Sequence, residues 1–354
     1  MIYILLVNYN QWENTIECLD SITRNSNHNY KIILVDNASK NESADKIILW
    51  LRAQTIQFTL YKKEKDNTII PIDNEFEENI TLDSSNTLCD VELSRISFVI
   101  NNSNRGLADA WNIATSLLGN CNYDDYVWYL GSDTVIPSDT INVLYSYISM
   151  NPNIRAFGTT SLFYYDKERI QCCGLGYGSS WLGVYKHLFQ GKIYKEINDN
   201  TLRKKLESIK SKNRYIYGNS MIFKFDVIKQ VFPFCVDYFI YYEELDIMQK
   251  LESQNIDIGI CYKCLVYHKE GGTIRANGNI KNPLSEYYFL RNSIIFTKKY
   301  FPYKIFTIYL VSILRIINRI RKGYYKIALM MILILFNPAY QFEEFKKRNE
   351  WLNL

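Results

Sequence analysis

An excess of charge of one sign is missing from this sequence. Its 354 residues carry 41 Lys and Arg against 37 Asp and Glu, a formal net charge of +4. That surplus is too small to build the basic face that nucleic acid requires. No ordinary transmembrane helix is encoded in the C-terminal part, because its two apolar runs, 305–314 and 327–336, fall short of about 20 residues. The first residues, Met1 to Val7, have neither the basic region nor the small-residue cleavage site of a signal peptide. Phosphate-cradling glycine patterns are missing too. There is no GxxxxGKS/T, and no GxGxxG follows the first apolar run, which argues against P-loop and dinucleotide-binding readings. No internal repeat is visible.

Cysteine is present eight times but forms no framework. Cys261-x-x-Cys264 has no second pair at zinc-finger spacing, and Cys172 and Cys173 are simply adjacent. Buried structural thiols in a reducing cytosol are the expectation. Histidine occurs only three times, so each is worth placing.

What remains is an ordinary globular composition, 47% hydrophobic and 22% charged. Tyrosine is abundant, with 29 residues, which suits amphipathic pockets and half-buried surfaces. Along the chain, strand-length apolar runs alternate with helical spacing. Tyr3 to Val7 is a strand, broken by Asn8, Tyr9 and Asn10. Trp12, Ile16, Leu19 and Ile22 recur as on a helix face. Lys31 to Val35 is a second strand, ending in Asp36, and Ile47 to Leu51 belongs to a helix. Ile56 to Tyr61 and Ser97 to Ile100 read as further strands, and Ala108 to Leu118 as a helix. Between them, 62–93 is rich in Asp, Glu, Asn, Lys and Ser without a period, and reads as a long polar surface insertion.

The run Tyr126 to Leu130 then stops at Gly131 and Ser132, and the carboxylate Asp133 follows at once. Ligands collect outside the carboxyl ends of parallel strands, so Asp133 is a candidate for chemistry. An aspartate there serves equally well as a turn or helix cap. Further on, Gly218, Asn219 and Ser220 form a turn feeding a strand. Glu243, Glu244 and Asp246 cluster after an aromatic run at the start of a helix, and His268 closes the apolar stretch from Ile256. Alternation over about the first 140 residues predicts an α/β fold, a mostly parallel sheet flanked by helices.

These marks, in this order, resemble the inverting family 2 glycosyltransferases of the GT-A fold, and among them the rhamnosyltransferase-like enzymes of polysaccharide and O-antigen assembly. The stretches that carry the resemblance are 7–10, 35–39, 104–108, 130–134, 217–220, 241–246, His268 and 288–292. They span roughly the first 300 residues. The resemblance implies a nucleotide-sugar donor (a UDP- or dTDP-sugar), with Asn8 and Asp36 at base and ribose, and Asn104, Arg105, Gly106 and Asp109 in a glycine-containing loop beside it. Ser132 and Asp133 would sit at the diphosphate. Asp133 and His268 would hold a divalent cation, Mg²⁺ or Mn²⁺. Glu244 would be the general base, with Glu243 as its stand-in and Asp246 orienting the site. The family usually has Asp where Glu244 stands, and more polar groups where Gly131 and Ser132 stand. Gly218, Asn219, Ser220 and Trp181 would line the pocket of a saccharide or lipid-linked glycan acceptor.

The implied organisation is a catalytic domain over 1–300 and a helical region over 301–354. The two apolar runs of that region flank Arg315, Arg319, Arg321, Lys322 and Lys326. Such a pair suits the cytoplasmic face of a membrane, and suits equally a hairpin that packs on the catalytic domain or forms a homodimer. Two rival functions stay open: a nucleotidyltransferase, and a degenerate relative that binds a nucleotide-sugar without turnover.

Overall fold

The structure, a computed structural model, describes residues 1–65, 68–72, 80–81, 93–210, 214–269, 282–339 and 342. The first half alternates strand and helix: β1 (Ile2–Asn8), α1 (Trp12–Thr23), β2 (Tyr30–Asp36), α2 (Ser43–Ala53) and β3 (Phe58–Lys63). The short strands β4 (Thr68–Pro71) and β5 (Ile80–Thr81) follow, then β6 (Ile96–Ile100), α3 (Leu107–Ser116), β7 (Tyr126–Leu130), β8 (Thr134–Val135) and α4 (Thr140–Met150). The second half begins with β9 (Ala156–Phe163), β10 (Asp166–Cys173), β11 (Leu175–Ser179), β12 (Val184–His187), α5 (Asp199–Glu207) and β13 (Arg214–Ile216). It continues through β14 (Ser220–Lys224), α6 (Phe225–Val231), α7 (Glu243–Ser253) and β15 (Ile258–His268). Three helices close the described chain: α8 (Pro283–Tyr300), α9 (Ile305–Arg321) and α10 (Tyr325–Phe336).

The main sheet runs β5-β4-β3-β6-β2-β1-β7-β14-β9-β15-β8, with β10 beside β9. Strands β3, β6, β2, β1 and β7 are parallel to one another; β14 enters antiparallel between β7 and β9. The central strands bury both faces, as parallel strands covered by helices must. In β1, Ile2, Ile4 and Leu6 face one core while Tyr3 and Leu5 face the other. In β7, Trp128 and Leu130 share the first core, and Val127 and Tyr129 the second. Each fully buried large apolar side chain contributes roughly 1.5–3 kcal/mol, so these strands anchor the loops at their carboxyl ends.

The stretch read as a polar insertion departs from that reading at its start. Strand β4 pairs antiparallel with β3, and Ile69 is fully buried. Of the stretch 62–93, residues 66–67, 73–79 and 82–92 lie outside the described residues. A second, three-stranded sheet runs β12-β11-β13. Cys18, Cys172, Cys173, Cys261 and Cys264 are buried free thiols. The helical layer starts upstream of residue 301: Tyr287, Leu290 and Ile294 of α8 share one core with Ile308 and Ile316 of α9 and Met330 and Ile334 of α10.

Candidate active site

One cavity of about 1390 Å³ opens at the carboxyl ends of β1, β2 and β7 and is walled on the far side by α7 and α8. It exceeds the roughly 300–1000 Å³ of an ordinary small-molecule pocket, room enough for two substrates. Asn104, Gly106, Ser132, Asp133, Gly218, Asn219, Glu243, Glu244 and His268 all line it.

Asp133 arrives by chain geometry. Strand β7 ends in a tight turn whose Gly131 N–H donates to Asn219 O at 2.8 Å. The short β8 then pairs with the end of β15, setting His268 against Thr134. His268 Nε2 consequently lies 3.1 Å from Asp133 Oδ1. Its other ring nitrogen, Nδ1, is 2.7 Å from Oε1 of the fully buried Gln171. With Gln171 accepting, Nδ1 donates and Nε2 is the nitrogen turned to Asp133 and the cavity; a hydrogen bond on the far ring nitrogen is how metal-binding imidazoles are oriented. Burial pushes the Asp133 carboxyl up, but His268, the backbone N–H of Asp133 and Lys269 outweigh it, and the group lies below the ordinary carboxylate range.

These residues suit a hard divalent cation, which takes oxygen and imidazole ligands and shares its shell with a diphosphate. Gly131 keeps the cradle open: a Cβ there would lie 2.2 Å from Asn219 Oδ1 and 3.1 Å from Asp133 Oδ1. Asp133 and His268 are the residues that would hold such a cation. Among the described residues no group of three or more His, Cys, Asp or Glu forms a complete cage. The Ser132 hydroxyl donates to Val7 O at 2.6 Å and ties the turn to β1.

The carboxylate pair stands at the N-terminus of α7, where the helix dipole favours negative charge. Glu243 is 3% exposed, and its Oε1 has no hydrogen-bond partner among the described residues. Burial, and then the neighbouring Glu244 charge, raise the Glu243 carboxyl well above its usual range. Burial raises Glu244 as well, against the pull of backbone N–H groups. The two carboxyls titrate as a pair, with the stronger rise on Glu243 and with Glu244 the less enclosed of the two. Glu244 packs against Gly218, whose Cβ would meet its Cδ at 3.7 Å. The next residue, Asn219, reaches the Gly131 turn. A single dipeptide therefore spans from the carboxylate pair to Asp133 and His268.

The approach to α7 is strained. Phe239, Tyr241 and Tyr242 have φ of 66°, 68° and 79°, a region that costs non-glycine residues about 1–2 kcal/mol each. The fully buried Asn292 holds them there. Its Nδ2 donates to the carbonyls of Tyr238, Ile240 and Tyr241 at 2.8–2.9 Å. Gly106, at φ 103°, packs against the same segment, and a Cβ there would lie 2.4 Å from Phe239 O.

Other residues assigned from the sequence lie off the cavity. Asn8 and Asp36 turn inward and bond to each other, Asn8 Nδ2 donating to Asp36 Oδ1 at 2.6 Å, while Ser39 caps the same carboxylate. Their neighbours Val7, Tyr9, Gln11 and Asn37 form the wall instead. Arg105 is exposed and faces Asp109 at 3.7 Å. The Ser220 hydroxyl is buried under Trp128 and Thr159. Asp246 is a clamp, accepting from Tyr238 Oη, Lys299 Nζ and Tyr300 Oη at 3.0, 2.7 and 2.7 Å. Trp181 is half exposed and meets Tyr303 edge-on at 6.0 Å, beside the start of α9. The cavity's aromatic wall includes Tyr185, His187 and Tyr215 of the small sheet, Tyr217 just after it, and Tyr241, Tyr288 and Phe289.

Residues 3–67 match the family model described as Glycosyl transferase family 2. No curated protein matches the sequence. Among solved structures, the mannosyltransferase PcManGT from Pyrobaculum calidifontis, in complex with GDP-Man and Mn²⁺, is similar over 99% of this chain and 83% of that one, with 12% identity and a TM-score of 0.50. The 1–349 portion of TarS from S. aureus is similar over 83% of this chain and 64% of that one, with 10% identity and a TM-score of 0.44. The fold is that of GT-A enzymes, and the family match together with it supports a glycosyltransferase.

Proposed function

We propose that this chain is an inverting glycosyltransferase that moves a sugar from a nucleoside diphosphate to a hydroxyl of a saccharide acceptor. The observation that carries this is the span Gly218–Asn219. It sets a carboxylate of raised pKa, Glu244, across one cavity from an ionised Asp133 and His268. Asn37, Asn104 and the backbone of Gly106 form the wall on which the nucleotide half of the donor rests. Asp133 and His268 lie where the diphosphate has to be. A divalent cation bound there would offset the charge that grows on the leaving diphosphate. Glu244 takes the proton of the acceptor hydroxyl. The acceptor oxygen bonds to the anomeric carbon as the bond to the diphosphate oxygen breaks, and attack from the opposite face inverts the configuration. Glu243, holding its proton, donates a hydrogen bond to a substrate oxygen. The tyrosines of the small sheet suit the faces of sugar rings.

Within the family, we assign the chain to the rhamnosyltransferase-like enzymes of surface polysaccharide assembly, acting in the cytoplasm on a lipid-linked glycan. The ordered motifs support this. The test is thermal stabilisation by UDP-, dTDP- and GDP-sugars with Mn²⁺ or Mg²⁺, since a ligand of the native state raises Tm by mass action. One nucleotide class should stabilise the protein in a cation-dependent way, and Asp133→Asn should lose the cation dependence. No stabilisation by any nucleotide-sugar would defeat the reading.

A further inference from the structure

Helix α9 has two apolar faces, and only one is covered. Ile308, Ser312, Ile316 and Arg319 are buried against α8 and α10. Arg319 pairs with Glu286 of α8 at 2.8 Å, and Arg315 donates to Gly183 O at 3.2 Å, so the inner face is fixed. On the outer face, Phe306, Leu310, Ile313, Leu314, Ile317 and Ile320 are all exposed. Their spacing of four, three, one, three and three residues keeps them on one side of the helix, along roughly 20 Å of its length. Phe336, 88% exposed, and Leu329 add to the apolar surface on α10. A stripe of this kind marks an interaction surface on a folded protein.

The charges beside the stripe indicate its partner. Arg321, Lys322 and Lys326 are exposed at the turn from α9 to α10, and no acidic residue occurs in 305–336. Among the described residues no helix is long and apolar enough to cross a membrane. An apolar face on helices whose only charged residues are cations fits a surface that is both oily and anionic. We propose that the outer face of α9, with the basic α9–α10 turn, docks on an anionic lipid bilayer and lies in its surface. The same helical layer walls the cavity through Tyr288 and Phe289 of α8 and Ala339 beyond α10. The layer that docks is thus also a layer that walls the cavity, whichever sugar is transferred.

The test is sedimentation of the full chain with vesicles of phosphatidylcholine alone or mixed with phosphatidylglycerol, at low and high salt. The protein should bind the anionic vesicles and release as salt screens the basic turn. Leu314→Asp with Ile317→Asp should weaken that binding by about tenfold or more. Arg321→Glu with Lys322→Glu should remove its salt dependence. All four side chains are exposed, so melting temperature and nucleotide binding serve as folding controls and should not move. Equal binding of the wild type and the Leu314→Asp, Ile317→Asp variant would overturn the proposal. So would a wild-type dimer, seen by light scattering, that this variant dissociates, because a second copy would then cover the stripe.

Discussion

Removing the Asn292 amide tests whether the strained segment before α7 is held from outside. Asn292 is fully buried, and its orientation is set by Arg291, which donates to Asn292 Oδ1 at 2.9 Å and to Asp237 O at 2.7 Å. Its Nδ2 serves three carbonyls with two protons. In Asn292→Ala those carbonyls lose their donor, at about 1–3 kcal/mol for each one left buried and unpaired. Relaxation of Phe239, Tyr241 and Tyr242 out of the left-handed region returns part of the loss. The net cost is about 2–4 kcal/mol, or roughly 3–5 °C in Tm for a chain of this size. Relaxation also moves Glu243 and Glu244, which follow Tyr242 directly, so kcat should fall about tenfold or more. Donor affinity should hold, because Asp133 and His268 are carried by other strands. Asn292→Asp should be worse than Ala, since a carboxylate would then face the three carbonyls. Differential scanning calorimetry and steady-state kinetics read both effects. A Tm within about 1 °C of wild type together with normal kcat would refute the reasoning.

Two further perturbations follow from the same geometry. Gly106→Ala puts a Cβ 2.4 Å from Phe239 O in a backbone conformation suited to glycine; it should cost about 1–3 kcal/mol or more and weaken donor binding, as read by urea melts and calorimetric titration. Glu243→Gln should stabilise the protein increasingly as pH rises. The folded carboxyl is raised, so its stability contribution is complete below the unfolded carboxylate pKa of about 4.3 and is lost as pH climbs through the folded value, a loss glutamine does not suffer. A Tm difference between variant and wild type that stays flat from acid to mildly alkaline pH would count against a protonated Glu243.

The sheet was legible because its strands alternate between two cores, as Ile2, Ile4 and Leu6 against Tyr3 and Leu5 do. The approach of His268 to Asp133 depends on the two-residue pairing of β8 with β15, too short to leave a period in the sequence. Strand β4 was hidden for the same reason: four residues, one of them the buried Ile69, inside a polar stretch. Asp36 carried the right chemistry, but its orientation was decided by Asn8 and Ser39, whose hydroxyl and amide satisfy both of its oxygens. Asn292 had no signal beyond its place in a motif, because it acts on backbone carbonyls 51–54 residues away. The aromatic wall of Tyr185, Tyr215 and Tyr217 was equally silent, since in a chain with 29 tyrosines no single one stands out. Trp181, the aromatic that did stand out, packs toward α9 instead.

The central claim is that Glu244 deprotonates an acceptor hydroxyl while a nucleoside diphosphate leaves. The most direct measurement is NMR of the reaction of wild type and Glu244→Gln with the stabilising donor and a saccharide acceptor, following both the anomeric signal and the released nucleotide. Wild type should give the inverted anomer and a nucleoside diphosphate. Glu244→Gln should bind the donor normally and transfer nothing. Pyrophosphate release, retained configuration, or wild-type turnover by Glu244→Gln would contradict the account.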